Sequence, residues 1–244
     1  MQIELHELLV YRGGTRAVDR VSLTVDAGGW TGLVGANGSG KTSLLRAVAG
    51  RVDVAAGEIR VDGQDRTADR GWRARAFGFA PDAAALPQSL TGGELFSILV
   101  PDGAEAADDE VLAPLRRALD FDSFIDRRIG SLSAGMKQRL AVFSAFLSRP
   151  KLVILDEPFN WLDPVCAFDT RTALRSLVSD HGLTLITALH DTMTLLQHCH
   201  SGLLLSDGRV SRRLSSEDLR RGAGDYAAFE RELIEALRSG AARG

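Results

Sequence analysis

Cysteines, lysines and long hydrophobic runs are scarce in this sequence. Cys166 and Cys199 are the only cysteines among 244 residues, and they lack the paired spacing of metal ligands. This argues against a disulfide framework and against a zinc cluster. No run of apolar residues exceeds four, whereas a membrane-spanning helix needs about 20 mostly apolar residues. The chain is therefore not expected to cross a bilayer by itself.

A strong excess of charge of either sign is also missing. The net charge is −3 at pH 7, so no global basic field points to a nucleic acid or to an anionic membrane surface. The first ten residues contain Glu4 and Glu7 but no lysine or arginine, which argues against a signal peptide. With 45% hydrophobic and 25% charged residues, the composition is that of a soluble globular protein with a sizeable core. A reducing, cytoplasmic setting is expected.

The order of hydrophobic patterns predicts an α/β protein. Residues 3–10 and 21–25 are predicted strands of a hairpin, and residues 30–34 are a further strand that leads into a glycine-rich loop. From 86 to 148 the pattern is mostly helical. The apolar run at 152–155 is typical of a strand buried on both faces, and the alternation of strands and helices after it predicts a parallel sheet. Other elements predicted in the second half are helices at 164–180 and 191–199, strands at 183–188 and 203–205, and one or two charged helices over 215–238.

The glycine-rich loop at 35–42 matches the pattern G-x-x-x-x-G-K-[ST] in full. Glycines let the backbone curl so that successive N–H groups point at one phosphate, and the following helix adds the positive end of its dipole. Lys41, one of only three lysines, would bring a point charge to the β- and γ-phosphates, and the Thr42 hydroxyl would ligate Mg²⁺. The predicted nucleotide-binding residues of this loop are Gly35, Ala36, Asn37, Gly38, Ser39, Gly40, Lys41, Thr42 and Ser43.

A second motif follows the buried strand at 152–155, which ends in Asp156, Glu157 and Pro158. The carboxyl ends of strands in a parallel sheet face the ligand crevice. Asp156 is therefore predicted to hold Mg²⁺ beside the phosphates, directly or through water. Glu157 is predicted to orient and deprotonate the water that attacks the nucleotide.

A third segment, LSAGMKQR at 132–139, lies between these two motifs. The three motifs together resemble the ATP-binding-cassette family, and more narrowly the nucleotide-binding subunit of an ABC transporter. The similarity extends over nearly the whole chain, from residue 3 to about 210. The phosphate loop alone is typical of many nucleotide hydrolases, and the combination with LSAG narrows the class. Residues 135–139 are similar to the exporter-like branches of the family.

The resemblance implies that ATP is enclosed between two head-to-tail subunits. Ser133 is expected to cap the helix that follows it, which leaves backbone N–H groups available to an anion. By resemblance, Ser133 and Gly135 of one subunit would contact the γ-phosphate that the other subunit binds. Asp163 matches the aspartate of a loop that crosses to the partner, and Trp161 stands in that loop where the family usually has a small residue.

Three further residues are assigned by the same resemblance. Tyr11 falls where the family places an aromatic ring that stacks on adenine. His190, at the end of a predicted strand, matches the histidine that contacts the γ-phosphate and the attacking water. Asp82 stands where the family usually has a glutamine that touches Mg²⁺ or this water; an aspartate is able to serve Mg²⁺, but it adds negative charge near the triphosphate.

The predicted fold is a single ABC nucleotide-binding domain over 1–244, with a phosphate-loop α/β core and an antiparallel β-subdomain. The core and β-subdomain would comprise 1–85 and 149–212, the helical subdomain 86–148, and the C-terminal tail 213–244. The predicted cofactors are ATP and Mg²⁺, and no nucleic-acid partner is expected. The predicted catalytic residues are Lys41, Glu157 and His190.

The predicted activity is ATP hydrolysis that powers a separately encoded transmembrane permease, with export favoured over import. The chain would dock on the permease through the groove around 81–90, on the cytoplasmic face of the membrane, and a homodimer is the favoured assembly. Two alternatives remain: a soluble ABC ATPase that acts on ribosomes or DNA, and a regulatory module with weak hydrolysis. A metal cluster at His198, Cys199 and His200 is disfavoured, because the likeness is superficial.

Overall fold

The computed structural model describes residues 1–100 and 109–241, and it contains an antiparallel sheet, a mostly parallel sheet and flanking helices. The antiparallel sheet consists of β1 (Ile3–Arg12), β2 (Thr15–Val25), β4 (Ala56–Val61) and β5 (Gln64–Asp65). Its strand order is β2-β1-β4-β5. The β1–β2 hairpin is confirmed, and its turn is made by Gly13 and Gly14, whose φ angles of 56° and 80° suit glycine.

The second sheet carries the strand ends at which functional residues are predicted. Its strands are β3 (Trp30–Gly35), β6 (Gly78–Phe79), β7 (Leu152–Asp156), β8 (Thr184–Leu189), β9 (Ser201–Ser206) and β10 (Arg209–Leu214). The order is β10-β9-β3-β8-β7-β6, and all neighbours are parallel except β9 and β10. In this register Val34 pairs with Leu189, and Asp156 pairs with Ala188. The segments that follow β3, β7 and β8 therefore begin at the same edge of the sheet.

Helices cover both faces of this sheet. Those described are α1 (Lys41–Val48), α2 (Arg70–Ala76), α3 (Gly92–Leu99), α4 (Ala113–Leu119), α5 (Ala134–Ser144), α6 (Pro164–His181), α7 (Thr192–His198), α8 (Ser216–Gly224) and α9 (Tyr226–Ala241). The predicted helical subdomain at 86–148 contains α3, α4 and α5, and its residues 101–108 lie outside the described part of the chain. Within 1–100 and 109–241, no helix has the length and apolar character that a membrane crossing requires.

Three clusters of buried side chains hold the layers together. One lies between the antiparallel sheet, α1 and the parallel sheet, and includes Leu44 and Ile186. A second joins α3 to α6 with the parallel sheet, where the rings of Phe96, Phe121 and Phe143 pack with centroids 4.6 to 5.7 Å apart. Each such ring pair adds about 0.5–1.5 kcal/mol beyond the burial of its area. The third cluster packs α8 and α9 against α7 and the central strands.

The elements not predicted from the sequence include α2 and β10. The helix α2 contains three arginines, and its Arg73 is fully buried because the guanidinium donates to the backbone carbonyls of Val48, Arg66 and Thr67. The strand β10 lies at the sheet edge and exposes alternate side chains, so it lacks the apolar run that reveals a central strand. The predicted tail of one or two helices is resolved as two, α8 and α9.

Candidate nucleotide site

The phosphate loop connects β3 to α1, the arrangement that anion binding at a helix N-terminus requires. The N-cap residue of α1 is Gly40, and no side chain in the described part of the chain caps the first turn, so the backbone N–H groups of that turn are available to a ligand. Gly40 has φ 102°, and a Cβ at this position would collide with the carbonyl oxygen of Ala17. A Cβ at Gly35 would collide with the carbonyl oxygen of Leu205. These two positions therefore require glycine for steric reasons.

Lys41 places its ammonium group inside this loop. The side chain is only 4% exposed, and Nζ donates to the carbonyl oxygens of Gly35 (2.7 Å) and Ala36 (3.2 Å). Burial lowers the pKa of Lys41, and the charges of Glu157 and Asp156 oppose this effect. The ammonium group is thus held close to the acidic pair, where it would offset part of the negative charge of a bound triphosphate.

Asp156 ends β7 and has the features of a metal ligand. Its Oδ1 atom is buried and has no hydrogen-bond partner among the described residues. Burial raises the pKa of the Asp156 carboxyl, and the neighbouring Thr42 hydroxyl opposes this rise. A buried carboxylate oxygen without a donor, next to a hydroxyl, is a set of hard oxygen atoms that suits Mg²⁺. These residues therefore fit the metal that the sequence predicts.

Glu157 and His190 are in direct side-chain contact. Oε1 of Glu157 lies 2.7 Å from Nε2 of His190, and Oε2 accepts a hydrogen bond of 2.8 Å from the side-chain amide of Asn160. The backbone N–H of Glu157 donates to the carbonyl oxygen of Ala188 on β8, which ties the start of this loop to the strand that precedes His190. Both side chains remain accessible, with 28% of Glu157 and 42% of His190 exposed.

Two residues of this arrangement, Asn160 and Gln138, are not predicted as site residues from the sequence. Asn160 holds one carboxylate oxygen of Glu157. Gln138, on α5, donates to the carbonyl oxygens of Glu157 (3.5 Å) and Pro158 (3.2 Å) and so links the helical region to the acidic loop. The sequence signal that could have identified Asn160 and Gln138 as site residues is their position within recognised motifs. The motif spacing alone does not show which side chain reaches which oxygen.

One cleft brings several predicted residues together. Its lining includes Thr42, Asp82, Asp156 and Glu157, and also Gln138, Asn160 and Trp161. Asp82 is exposed, and its Oδ1 accepts a hydrogen bond of 2.9 Å from the N–H of Ala84. Its carboxylate therefore caps the short 3₁₀ turn Ala83–Ala85 while facing the cleft.

Ser133 and Gly135 do not line this cleft. Ser133 is exposed and caps α5 by accepting a hydrogen bond of 3.2 Å from the N–H of Met136. A Cβ at Gly135 would lie 2.5 Å from the carbonyl oxygen of Trp161, so glycine permits the loop of Trp161 to pack against α5. The exposed N-terminus of α5 thus lies beside this loop and outside the cleft of the same chain.

Asp163 has two partners. It caps α6 by accepting a hydrogen bond of 2.9 Å from the N–H of Cys166, and its Oδ2 accepts one of 2.8 Å from Arg139 on α5. The backbone hydrogen bond and the Arg139 charge hold the pKa of Asp163 below its ordinary value. The predicted partner contact of Asp163 is not visible in a single chain.

Tyr11 is 49% exposed near the end of β1, opposite Arg16 on β2. Arg16 pairs with Asp19 at 3.1 Å, and the neighbouring Asp19 and Tyr11 both raise the pKa of the Arg16 guanidinium. An aromatic ring that is half exposed and flanked by a cation is able to stack on a base.

His198, Cys199 and His200 belong to the packing around Trp30. The His198 ring lies 5.9 Å from the Trp30 ring, and Nδ1 of His200 accepts a hydrogen bond of 3.1 Å from the Trp30 backbone. Burial lowers the pKa of both histidines and raises that of the Cys199 thiol. In the described ranges, no group of three or more His, Cys, Asp and Glu side chains is arranged to hold a metal.

Comparisons with known proteins place this geometry in a family. A family model described as "ABC transporter" matches residues 18–160, which is more than half of the chain. The chain is 34% identical over 225 residues to the sulfate/thiosulfate import ATP-binding protein CysA of Bradyrhizobium diazoefficiens, which covers 90% of this chain and 65% of that relative. It is 28% identical over 239 residues to the energy-coupling factor transporter ATP-binding protein EcfA of Pediococcus pentosaceus, covering 92% and 84%. The chain thus spans about two thirds of the length of the sulfate/thiosulfate relative.

A solved structure described as the ATP-binding subunit of an ABC transporter has the same fold. Its TM-score is 0.82 at 27% identity, and the match covers 98% of this chain and 100% of that one. A dimeric cassette bound to ADP and phosphate matches with a TM-score of 0.77 at 21% identity, over 88% and 98% of the two chains. The fold class predicted from the sequence is confirmed.

The predicted exporter-like branch does not agree with these relatives. CysA of Bradyrhizobium diazoefficiens and the Fe(3+) ions import protein FbpC of Serratia marcescens, which is 30% identical over 226 residues, carry names that state import. Residues 135–139 belong to α5, whose Gln138 and Arg139 contact Glu157 and Asp163, and these contacts do not specify a direction of transport. The coarser prediction stands on the match over 18–160 and on the shared fold: this chain belongs to the ABC transporter family.

Proposed function

We propose that this chain is the ATP-binding and ATP-hydrolysing subunit of an ABC transporter and that it powers a separate membrane permease. The observation that carries the proposal is the 2.7 Å contact between Glu157 and His190, at the sheet edge where the phosphate loop and Asp156 also lie. A carboxylate held by an imidazole and an amide is suited to take a proton from a water molecule. The nearby ammonium group of Lys41 fixes where the phosphates would bind.

Nucleotide binding is assigned to the loop and its neighbours. The free N–H groups at the start of α1 and the Lys41 ammonium would bind the phosphates, and Tyr11 would stack on the base. Thr42 and Asp156 would hold Mg²⁺, which when bound neutralises charge on the β- and γ-phosphates. Asp82 lines the same cleft, and since the N–H of Ala84 engages its Oδ1, the other carboxylate oxygen would be the one to contact the metal.

Hydrolysis is assigned to the acidic loop. Glu157 would align the attacking water and accept its proton. His190 and Asn160 each hold one carboxylate oxygen of Glu157 and so restrict its rotation. Because the chain's own Ser133 and Gly135 do not reach the cleft, a second protomer is needed to bring the N-terminus of α5 to the phosphates. We propose that this second protomer is a copy of the same chain.

The proposed direction of transport is import. The names of the relatives support it, whereas the short sequence likeness to exporters does not bear on the permease. The chain would lie at the cytoplasmic face of the membrane, bound to its permease through the groove around 81–90. The permease, and not this chain, would select the cargo.

The substitution Glu157→Gln tests the hydrolytic role. The amide keeps the shape of the side chain but accepts no proton, so we expect ATP binding to persist and turnover to fall about 100-fold or more. ATP hydrolysis and nucleotide affinity are measured on the full-length chain, with Glu58→Gln as a matched control, since Glu58 is a partly exposed residue of β4 that does not line the cleft. Equal turnover in wild type and Glu157→Gln would contradict the assignment.

Co-purification tests the transport role. Affinity purification of the full-length chain from membranes solubilised in detergent is expected to recover a membrane protein with several spanning helices. Recovery of ribosomes or DNA in its place would favour the soluble ABC ATPase instead.

A further inference from the structure

The helix α7, which begins two residues after His190, contacts the C-terminal helices at its first residue. Thr192, the first residue of α7, has its hydroxyl 3.0 Å from the hydroxyl of Tyr226 at the start of α9. The Tyr226 hydroxyl in turn donates to Oε1 of Glu230 at 2.9 Å. Since a phenol has only one proton to donate, Thr192 must be the donor to Tyr226. The result is a directed chain of hydrogen bonds from α7 to α9.

The packing beneath this chain of hydrogen bonds reaches the site as well. Val34 and Leu189 each precede a site residue, Gly35 and His190 respectively, and the two are paired across β3 and β8. Both belong to the same buried cluster as Leu219, Phe229 and Leu233 of the two C-terminal helices. The C-terminal helices therefore support the strand ends from which the phosphate loop and the His190 loop emerge.

The N-terminus of α7 is fixed from a second side. Asp191 accepts hydrogen bonds from the Thr194 N–H at 2.6 Å and from the Thr194 hydroxyl at 2.9 Å. His190 itself is 42% exposed, so close packing does not hold its ring. The orientation of His190 thus depends on how firmly the two residues after it are held.

We propose that Tyr226 is a positioning residue for ATP hydrolysis. Its hydroxyl, oriented by Glu230, holds Thr192 and thereby keeps His190 within hydrogen-bond distance of Glu157. The inference rests on the proposed role of Glu157 and His190 in hydrolysis. It extends the functional site to the C-terminal helices.

The substitution Tyr226→Phe removes only the hydroxyl and keeps the ring in the buried cluster. We expect the kcat for ATP hydrolysis to fall about three- to tenfold, the effect of losing one hydrogen bond that orients a reacting group. The KM for ATP should stay unchanged, because the phosphate loop and Tyr11 are untouched. Thr192→Val removes the other end of the same bond and should give the same loss.

The double variant provides the sharper readout. If both substitutions break one bond, Tyr226→Phe with Thr192→Val should be no slower than either single variant. The NMR resonance of the His190 ring, assigned with His190→Gln, should shift in both single variants. Ser211→Ala serves as the control, because it removes a hydroxyl bond to Leu204 on β9 and leaves α7 untouched.

Two failures are distinguishable. If His190→Gln and Glu157→Gln retain wild-type turnover, the proposed function is wrong and the inference falls with it. If those variants lose turnover while Tyr226→Phe and Thr192→Val keep the wild-type kcat and His190 resonance, only the inference is overturned. The inference would also be overturned if the fold-decrease in kcat of the double variant equalled the product of the two single decreases, because this would show that the substitutions act independently.

Discussion

Gly38 and Gly40 both have a left-handed backbone, but their surroundings differ. Gly38 has φ 82° and open space around the position of a Cβ. Gly40 has φ 102°, and a Cβ there would collide with the carbonyl oxygen of Ala17 on β2. A side chain at Gly38 would cause only the backbone strain of a left-handed residue with a Cβ. A side chain at Gly40 would also force the phosphate loop away from β2. The loop is therefore held at its helix end by steric contact with the antiparallel sheet.

Alanine substitutions separate these two effects. Gly38→Ala is expected to lower the free energy of unfolding by about 1 kcal/mol, the cost of a left-handed residue with a Cβ. Gly40→Ala adds a backbone collision and should cost about 3 kcal/mol or more, with loss of ATP binding. Urea denaturation measures the free energy of unfolding of the two variants, and nucleotide titration measures their affinity for ATP. Equal costs for the two variants would contradict the steric explanation.

At the scale of single residues, the sequence predicts those members of the candidate site whose residue type is dictated by the chemistry of phosphate binding. The spacing of Gly35, Gly40, Lys41 and Thr42 follows from phosphate binding, and the structure places Lys41 inside the loop. The bond from Asn160 to Glu157 is not predictable in the same way, because an asparagine three residues after an acid has many other possible partners. Which side chain reaches a given oxygen depends on the backbone, and here Glu157 itself has φ 52°.

At the scale of helices and strands, the fold builds the candidate site by bringing the carboxyl ends of several strands together and by joining the two sheets. The apolar runs that end at Leu155 and Leu189 predict buried strands, and both are observed as central strands. β10 escapes prediction, yet the turn that precedes it links the sheets: the N–H of Asp19 on β2 donates to the carbonyl oxygen of Gly208. The N–H of Gly208 donates to the carbonyl oxygen of Ser39 in the phosphate loop. Long-range pairing of this kind leaves no local pattern.

The ion pairs of Asp19 test this junction. Asp19 is 6% exposed and contacts Arg209 at 2.6 Å and Arg16 at 3.1 Å. Its pKa is lowered, first by the hydrogen bond from Arg209, so the pairs stabilise the fold above the pKa of unfolded aspartate and lose this effect as the pH falls through the folded pKa. Asp19→Asn should lower the free energy of unfolding at pH 7, because the neutral amide no longer pairs with the charges of the two arginines.

The measurement is urea denaturation at pH 7 and at pH 3. The difference in the free energy of unfolding between wild type and Asp19→Asn should be smaller at pH 3 than at pH 7. Asp207→Asn is the control, since Asp207 has φ 48°, a conformation that asparagine tolerates, and it should behave like wild type at both pH values. A cost for Asp19→Asn that does not depend on pH would contradict the electrostatic origin.

At the scale of the whole molecule, the two parts of the proposed nucleotide site do not meet within one chain. The phosphate loop, Asp156 and Glu157 share a cleft, and the capped N-terminus of α5 at Ser133 lies outside it. The family and fold are predictable because the motifs follow from phosphate chemistry. The direction of transport is not, since the residues that decide it would belong to the permease, and the relatives point to import where the sequence likeness favoured export.

The oligomeric state of the Glu157→Gln variant tests the central claim most directly. With saturating ATP and Mg²⁺, light scattering after size-exclusion chromatography should give twice the 26.2 kDa mass of the chain. Adding Lys41→Ala to the same variant should abolish ATP binding and return the monomer. A Glu157→Gln chain that binds ATP and Mg²⁺ stoichiometrically yet stays monomeric, alone and together with its membrane partner, would contradict the claim that a second copy completes the site.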